Sequence, residues 1–425
     1  MSRENHKWRK DEPPPYIRAH SLAKHRVIKA YLERYVSVLT ADPRRKELRL
    51  TLVDGFAGGG MYRDEETNEN RPGSPLIMLE AMRKAAEAAK EARKTKQFNL
   101  DVDYFFIEKN LAAYEYLREV ISESEFRSLL ANRIRLIPGE FVAQVPKLID
   151  HIKSRGRSER AIFVLDQFGY LDVPFATIGV ILESLEHAEV ILTFATDWLI
   201  HYLNSSDETQ ERLNRLGLVL PPNAIDDAKA QREWRRIIQF SLHAQMQERT
   251  GAQFYTPFFI RSTEAQRDYW LIHLSGHQRA RDVMVGLHWK ETNSFAHYGK
   301  SGLRMLGFDQ TKREEWKQQK LLSGYFFDET ARISSEDELL NQLPERLSSS
   351  GFKKGASFYE IFGALTNETP VTSDIMIDVI NSLAKQGDFK ITDKDGHKRR
   401  SGIQHHSDIV IPNQKRLFLP APTNE

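Results

Sequence analysis

The chain contains no cysteine. Disulfides, thiolate zinc sites and cysteine-ligated iron–sulfur clusters within it are thereby excluded. It carries little net charge, +2 from 61 Lys/Arg and 59 Asp/Glu, so bulk charge gives no argument for a polyanionic partner. No apolar run is long enough to span a bilayer, and no membrane partner is expected. Met1 to Asp11 is charged from its third residue and does not read as a secretory signal. Cytoplasmic residence is the expectation. No internal repeat, Ser-His-Asp set or His-Glu-x-x-His pattern stands out.

What is present fits a packed globular protein of more than one domain: 425 residues, 40% hydrophobic and 28% charged. Charge is uneven along the chain. Residues 1–50 hold 13 Lys/Arg against 6 Asp/Glu, which reads either as a phosphate-facing patch or as a solvated helix with scattered charge.

After Pro13, Pro14 and Pro15, helical spacing of apolar residues predicts a helix from about Ala19 to Leu39. Short apolar runs then alternate with helices. Leu48–Val53, Tyr104–Ile107, Ile134–Ile137, Ile162–Leu165 and Val190–Phe194 read as strands. A helix is expected from Ser74, as N-cap with Pro75 behind it, to about Lys94, and another over Leu111–Ile121. This alternation predicts a mostly parallel sheet with helices on both faces, whose ligand site lies at the carboxyl ends of the strands. Asp54, Glu108 and Asp166 all stand at such ends.

Residues 197–255 read as a polar helical insertion, and 326–350 as a linker. Residues 351–425 read as a separate winged-helix-like unit: helices around Phe358–Leu365 and from Ser373 to a stop at Gly387, then short strands. Its charge is nearly balanced, but Lys394, Lys398, Arg399 and Arg400 cluster at the expected wing and are candidate nucleic-acid contacts. His405-His406 lacks a third ligand at a recognisable spacing, so no metal site is expected there.

Four motifs carry chemistry. In Val53-Asp-Gly-Phe-Ala-Gly-Gly-Gly60, small residues after a strand let the backbone approach a ligand. Asp54, Gly55, Phe56, Ala57, Gly58 and Gly60 are its candidate cofactor contacts; no Gly-Lys-Ser/Thr follows, unlike a phosphate-binding loop. In Phe106-Ile-Glu108-Lys109, a carboxylate after the second strand can take both ribose hydroxyls. The Asp54–Glu108 separation is longer than usual for that role, and residues 61–94 must account for the excess. Glu140 and Phe141, after the third strand, offer an acid and an aromatic ring to an adenine, or simply form a turn. Leu165-Asp-Gln-Phe-Gly-Tyr170 stands where nucleic-acid amino-methyltransferases carry Asp/Asn-Pro-Pro-Tyr/Phe. There Asp166 would orient a target amino group, with Gln167 beside it, and Phe168 or Tyr170 would stack on a flipped base. Ser74, Pro75 and Lys109 join the cofactor-binding candidates. Lys24 and His25 would lie over the pocket or touch a phosphate; a helix-surface pair is the alternative.

Lys24-His25, Asp54-Gly-Phe-Ala-Gly-Gly-Gly-Met-Tyr62, Gly73-Ser-Pro-Leu76, Phe106-Ile-Glu108 and Leu165-Asp-Gln-Phe-Gly-Tyr170 resemble the three-Cys-motif partner protein (TcmP) family over about residues 8–200. The resemblance implies a Rossmann-like class I methyltransferase domain over residues 1–325, S-adenosylmethionine (SAM) as cofactor, and a partner with a three-cysteine, radical-SAM-like motif. Family members commonly have Pro where this chain has Gln167. Methyl transfer to a nucleic-acid base, DNA somewhat before RNA, is the expected function. A non-catalytic nucleic-acid-binding or partner-scaffolding protein that keeps the same shell is the alternative.

Overall fold

The computed structural model describes residues 8–9, 12–93, 98–156, 159–167, 172–194, 211, 214, 245–261, 268–290, 295–297, 301–303, 325–349 and 351–413. The chain forms two compact units, Met1–Ala296 and His297–Glu425.

In the first unit, a two-residue strand β1 (Tyr16–Ile17) leads into α1 (Ala19–Leu39), whose bounds match the expected helix. Its buried residues Val27, Ile28, Tyr31, Leu32, Tyr35 and Val36 recur at helical spacing and form one stripe. β2 (Glu47–Asp54) follows. Its last five residues are all buried, as befits a central strand covered on both faces. The expected loop after it contains β3 (Met61–Asp64) and β4 (Asn70–Pro72); β3 pairs with β4 on one side and with β1 on the other. Next come α2 (Ser74–Glu91), β5 (Asn99–Glu108), α3 (Leu111–Glu123), β6 (Ile134–Pro138), α4 (Phe141–Ser154), β7 (Ala161–Asp166), α5 (Phe175–Ser184) and β8 (Ala188–Phe194). The unit closes with β9 (Phe254–Arg261), β10 (Asp268–Ser275), α6 (Gln278–Lys290) and β11 (Phe295–His297). Most of the expected helical insertion lies outside the described residues; 245–250 are helical.

Within this unit the sheet runs β11-β9-β10-β8-β7-β2-β5-β6. β2, β5, β6, β7 and β8 are mutually parallel, whereas β10 is antiparallel to both β8 and β9. Counting from β2, and leaving out β3, β4 and β11, the strands stand in the order third, second, first, fourth, fifth, seventh, sixth, with only the seventh reversed. The alternation of strands and helices predicts the parallel part of this sheet, and the whole is the Rossmann-like class I methyltransferase arrangement that the resemblance implies. The order reverses between β2 and β7, and a crevice opens there beyond their carboxyl ends. Asp54 lies at that crevice, in register with Val164 on one side and Phe106 on the other.

The second unit begins at His297 rather than after residue 325. After a two-residue strand β12 (Tyr325–Phe326), the expected linker is a 21-residue helix, α7 (Glu329–Ser349). Ala331, Ser335, Leu339, Leu343 and Leu347, four apart, form its buried stripe, while Asp337, Glu338 and Glu345 are exposed. Then come β13 (Ala356–Ser357), α8 (Phe358–Leu365), α9 (Ser373–Gln386), β14 (Phe389–Thr392) and β15 (Ile409–Pro412), with the antiparallel order β13-β15-β14. Ser357 and Glu360 form a capping box at α8. Gly387, at φ +87°, ends α9 in the left-handed conformation. Phe358, Ile361, Phe362, Val379, Ile380, Leu383 and Val410 are buried in this unit. The strand expected at Leu417–Leu419 lies outside the described residues.

Among the described residues, no helix is long and apolar enough to cross a membrane.

Candidate functional site

Asp54 ends β2 with no solvent exposure. Its Oδ1 accepts a hydrogen bond from the Phe56 N–H (3.0 Å), and its Oδ2 has no hydrogen bond of normal geometry among the described residues. Burial pushes its carboxyl up to about 7; the charges of Asp166 and Glu108 act the same way, and the Ser74 hydroxyl and Phe56 N–H partly offset them. Ser74 is the first residue of α2 and not its cap, a position taken by Gly73. Pro75 behind it is buried and fits the first turn, where an N–H has no helical partner.

Glu108 ends β5 and holds the glycine turn. Its Oε2 accepts from the Gly58 N–H (2.8 Å) and its Oε1 from the Asn110 N–H (2.7 Å). The turn's other early donors are also engaged internally: Gly55 N–H to the Val164 carbonyl and Ala57 N–H to the Ile107 carbonyl, both at 3.0 Å. The N–H groups of Gly55, Phe56, Ala57 and Gly58 therefore brace the turn and do not face a ligand, contrary to the sequence expectation. Gly58 (φ +59°) and Gly60 (φ +77°) need the left-handed region. A Cβ at Gly59 would stand 2.2 Å from the ring of Trp8. That indole lies against the turn, donates through Nε1 to the Met61 carbonyl (2.8 Å) and packs edge-on against Tyr62. Sequence reasoning missed Trp8, because a lone tryptophan in a charged segment carries no periodic signal.

Asp166 ends β7. Lys24 of α1 places its Nζ 2.6 Å and 2.7 Å from the two carboxylate oxygens. The Lys24 side chain is 6% exposed and that of Asp166 27%, so the acid is the accessible member of the pair. Burial alone would raise the Asp166 carboxyl, but Lys24, His25 and the Thr193 hydroxyl outweigh it and hold the group below the usual carboxylate range. His25 is buried beside them. Desolvation and the neighbouring ammonium push it down to about 4 against the pull of Asp166, and its Nδ1 has no hydrogen-bond partner among the described residues. Lys24 and His25 thus face inward; the surface-pair alternative and a direct phosphate contact do not match their burial. Burial raises the Tyr62 phenol, and the charges of Asp166, Asp54 and Glu108 raise it further.

Other candidates are placed differently. Phe141 is buried against Phe56 and Phe163 beneath the turn, so its ring belongs to the core and is not offered to an adenine. Glu140 is exposed at the N-cap position of α4 and makes no capping bond. Lys109 reaches Asp172 at 3.6 Å. Gln167 is buried; its Oε1 accepts from the Val173 N–H (3.1 Å) while Nε2 has no partner among the described residues, so it ties the chain after β7 to the segment before α5. Phe168 and Tyr170 lie outside the described residues. In the second unit, Lys394, Lys398 and Arg400 are exposed, whereas Arg399 is bonded to buried Asp408 (2.9 Å). The outward positions of α9 include Asp374 and Asp378.

No protein-family model matches the chain, and no curated protein matches it by sequence. Among solved structures, a Legionella pneumophila protein of family DUF519 is similar at 10% identity, over 64% of this chain and 92% of that one, with a TM-score of 0.35. The METTL16 methyltransferase domain is similar at 10% identity over 58% and 66%, TM-score 0.24. The plantazolicin methyltransferase BamL, crystallised with a triazolic desmethylPZN analog and SAH, is similar at 9% identity over 61% and 88%, TM-score 0.25.

Proposed function

We propose that this chain is a SAM-dependent methyltransferase of the TcmP type, acting on an amino group of a nucleic-acid base beside a three-cysteine-motif partner protein. The observation that carries the reading is that Asp54, Glu108 and Asp166 end three neighbouring parallel strands, β2, β5 and β7, at the point where the strand order reverses.

The donor set suits SAM. The open Oδ2 of Asp54 would take the ammonium of the methionine moiety. Glu108 is fixed by two main-chain N–H groups, yet each carboxylate oxygen keeps a second acceptor site for a ribose hydroxyl. Bound SAM supplies an electrophilic methyl group. The chain's part is then positioning. Lys24 locks the Asp166 rotamer and neutralises its charge, and the remaining acceptor sites of Asp166 would orient the target amino group. His25 is neutral above about pH 4, and its free Nδ1 would accept a hydrogen bond there. In the second unit we read the order helix, strand, helix, helix, hairpin as a winged helix. Lys394, Lys398 and Arg400 would contact phosphates, and the acidic face of α9 would not.

Calorimetric titration with SAM, followed by tritiated-methyl transfer to DNA, tRNA and protein, tests this. Asp166→Ala should abolish transfer and leave SAM affinity nearly intact; Glu108→Ala should chiefly weaken SAM. Absence of SAM binding at millimolar ligand would favour the non-catalytic scaffold, a reading to which the internal engagement of Gln167 lends its only specific support.

A further inference from the structure

On the rim of the sheet opposite Asp54 lies a cavity of about 600 Å³. It opens between the last turns of α1, the start of β8, the end of β10 and the start of α6. Cavities of this order hold small molecules. Methyl transfer at the carboxyl rim does not use it.

Its floor is a closed polar cluster. Glu189, on β8, accepts a hydrogen bond from the Tyr31 hydroxyl on α1 and stands 2.9 Å from His273 Nε2 on β10. All three side chains are buried, so this carboxylate is committed inside the fold. Above it the lining is basic. Arg160, just before β7, is half-buried and has no carboxylate partner among the described residues; it leans on the Tyr35 hydroxyl. Arg279, at the start of α6, is exposed and, among the described residues, has Asp282 at 3.9 Å as its carboxylate neighbour. His187 and His277 complete the set. These groups sense one another: burial lowers His277, and although Glu189 opposes it, His187, Arg160 and Arg279 lower it further. The one other acid in the lining, Glu186, is exposed. Facing the basic side is an apolar wall that includes Val38, Leu39 and Leu182.

A half-buried guanidinium with no carboxylate partner among the described residues, beside an exposed one whose carboxylate neighbour stands at 3.9 Å, calls for an anion, and guanidinium forks match the oxygens of a phosphate. The apolar wall calls for more than a bare ion. We propose that this cavity binds a small organic phosphate, its head between Arg160 and Arg279 and its apolar or aromatic body against Val38, Leu39 and Leu182. The site is independent of the methyl-transfer reading, and failure of either leaves the other standing.

Calorimetric titration of the full chain with AMP, phenyl phosphate, adenosine and inorganic phosphate tests the proposal. One of the two organic phosphates should bind at least tenfold more tightly than adenosine or inorganic phosphate. Arg160→Ala with Arg279→Ala should weaken it at least tenfold with an unchanged melting temperature. Should that double variant fold poorly, Arg279→Glu, at a side chain nearly half exposed, reverses charge without touching the core and should weaken binding likewise. Saturating S-adenosylhomocysteine should not displace the ligand. The proposal is overturned if neither organic phosphate binds below about 5 mM, if the folded charge variants bind like the parent, or if S-adenosylhomocysteine competes.

Discussion

Lys24 on α1 and Asp166 at the end of β7 are 142 positions apart in the chain, and the lysine ammonium bridges both oxygens of the acid. The pair fastens the first long helix to the central sheet at the crevice. Removing one partner of such a pair leaves the other charge in a poor environment. Because Asp166 keeps partial access to water, the cost is set below that of a fully buried pair.

Lys24→Met is therefore expected to destabilise the first unit by about 2 kcal/mol and to abolish methyl transfer. Lys24→Met combined with Asp166→Asn should recover part of the stability and none of the activity. Urea unfolding of these two variants and of Asp166→Asn alone checks this; additive losses would mean that the two groups act independently.

Asp54 gives a pH signature of opposite sign to that of Asp166. Its folded-state carboxyl stands near 7, above the ordinary value of 3.8. Between these values the folded chain holds a proton that the unfolded chain has lost, so stability falls as pH rises across this window. Asp54→Asn should be more stable than the parent above about pH 7 and show no such gain near pH 4. Asp166, held low, contributes stability that is present above the ordinary carboxylate range and is lost as pH falls through its lowered value. If Asp54 receives the SAM ammonium, affinity should tighten severalfold from about pH 6 to 7.5, below the range where an α-amino group loses its proton. That slope should vanish in Asp54→Asn; calorimetry across the pH series decides it.

The sheet was legible in the sequence because its central strands are buried on both faces and so appear as apolar runs between helices. The three acids were legible because each directly ends such a run. Lys24 and His25 carried a signal that surface reasoning missed. Positions 24 and 25 lie one turn before Val27 and Ile28 on the stripe that continues through Tyr31, Leu32, Tyr35 and Val36. Two polar residues on the apolar face of a helix mark a buried site. β1, β3 and β4 could not be read, since strands of two to four residues depend on distant partners, here the Arg63 N–H on the Pro15 carbonyl (2.9 Å). Phe141 follows an acid, as an adenine platform would, yet only tertiary packing shows that Phe56 and Phe163 enclose it.

Trp8 and Gly59 supply a test of the turn itself. Gly59→Ala alone forces a methyl group into the indole and should cost about 1–3 kcal/mol. Trp8→Ala removes the ring and its bond to the Met61 carbonyl. In that background Gly59→Ala should cost almost nothing, because the atoms it would meet at 2.2 to 2.4 Å all belong to Trp8. A double-mutant cycle in thermal unfolding reads the coupling; the same cost in both backgrounds would show that the backbone, not the indole, requires glycine there.

The basic residues of the hairpin between β14 and β15 should separate into two classes. Lys394, Lys398 and Arg400 are exposed, and replacing all three by Ala should leave the melting temperature of the chain unchanged. If they face phosphates, the triple variant should lower nucleic-acid affinity on every sequence alike and flatten its salt dependence. Arg399 differs. Its guanidinium donates to Asp408, 1% exposed, and the other oxygen of that carboxylate accepts from the Gln404 N–H (2.9 Å) and the His405 N–H (3.0 Å). Arg399→Ala would strand a buried acid that organises the base of the hairpin, so the expected loss is in stability, about 1–3 kcal/mol. A fluorescence-anisotropy salt series on labelled DNA and RNA, run beside thermal unfolding, distinguishes the two. If Arg399→Ala weakened binding at unchanged stability, its bond to Asp408 would not be its main role.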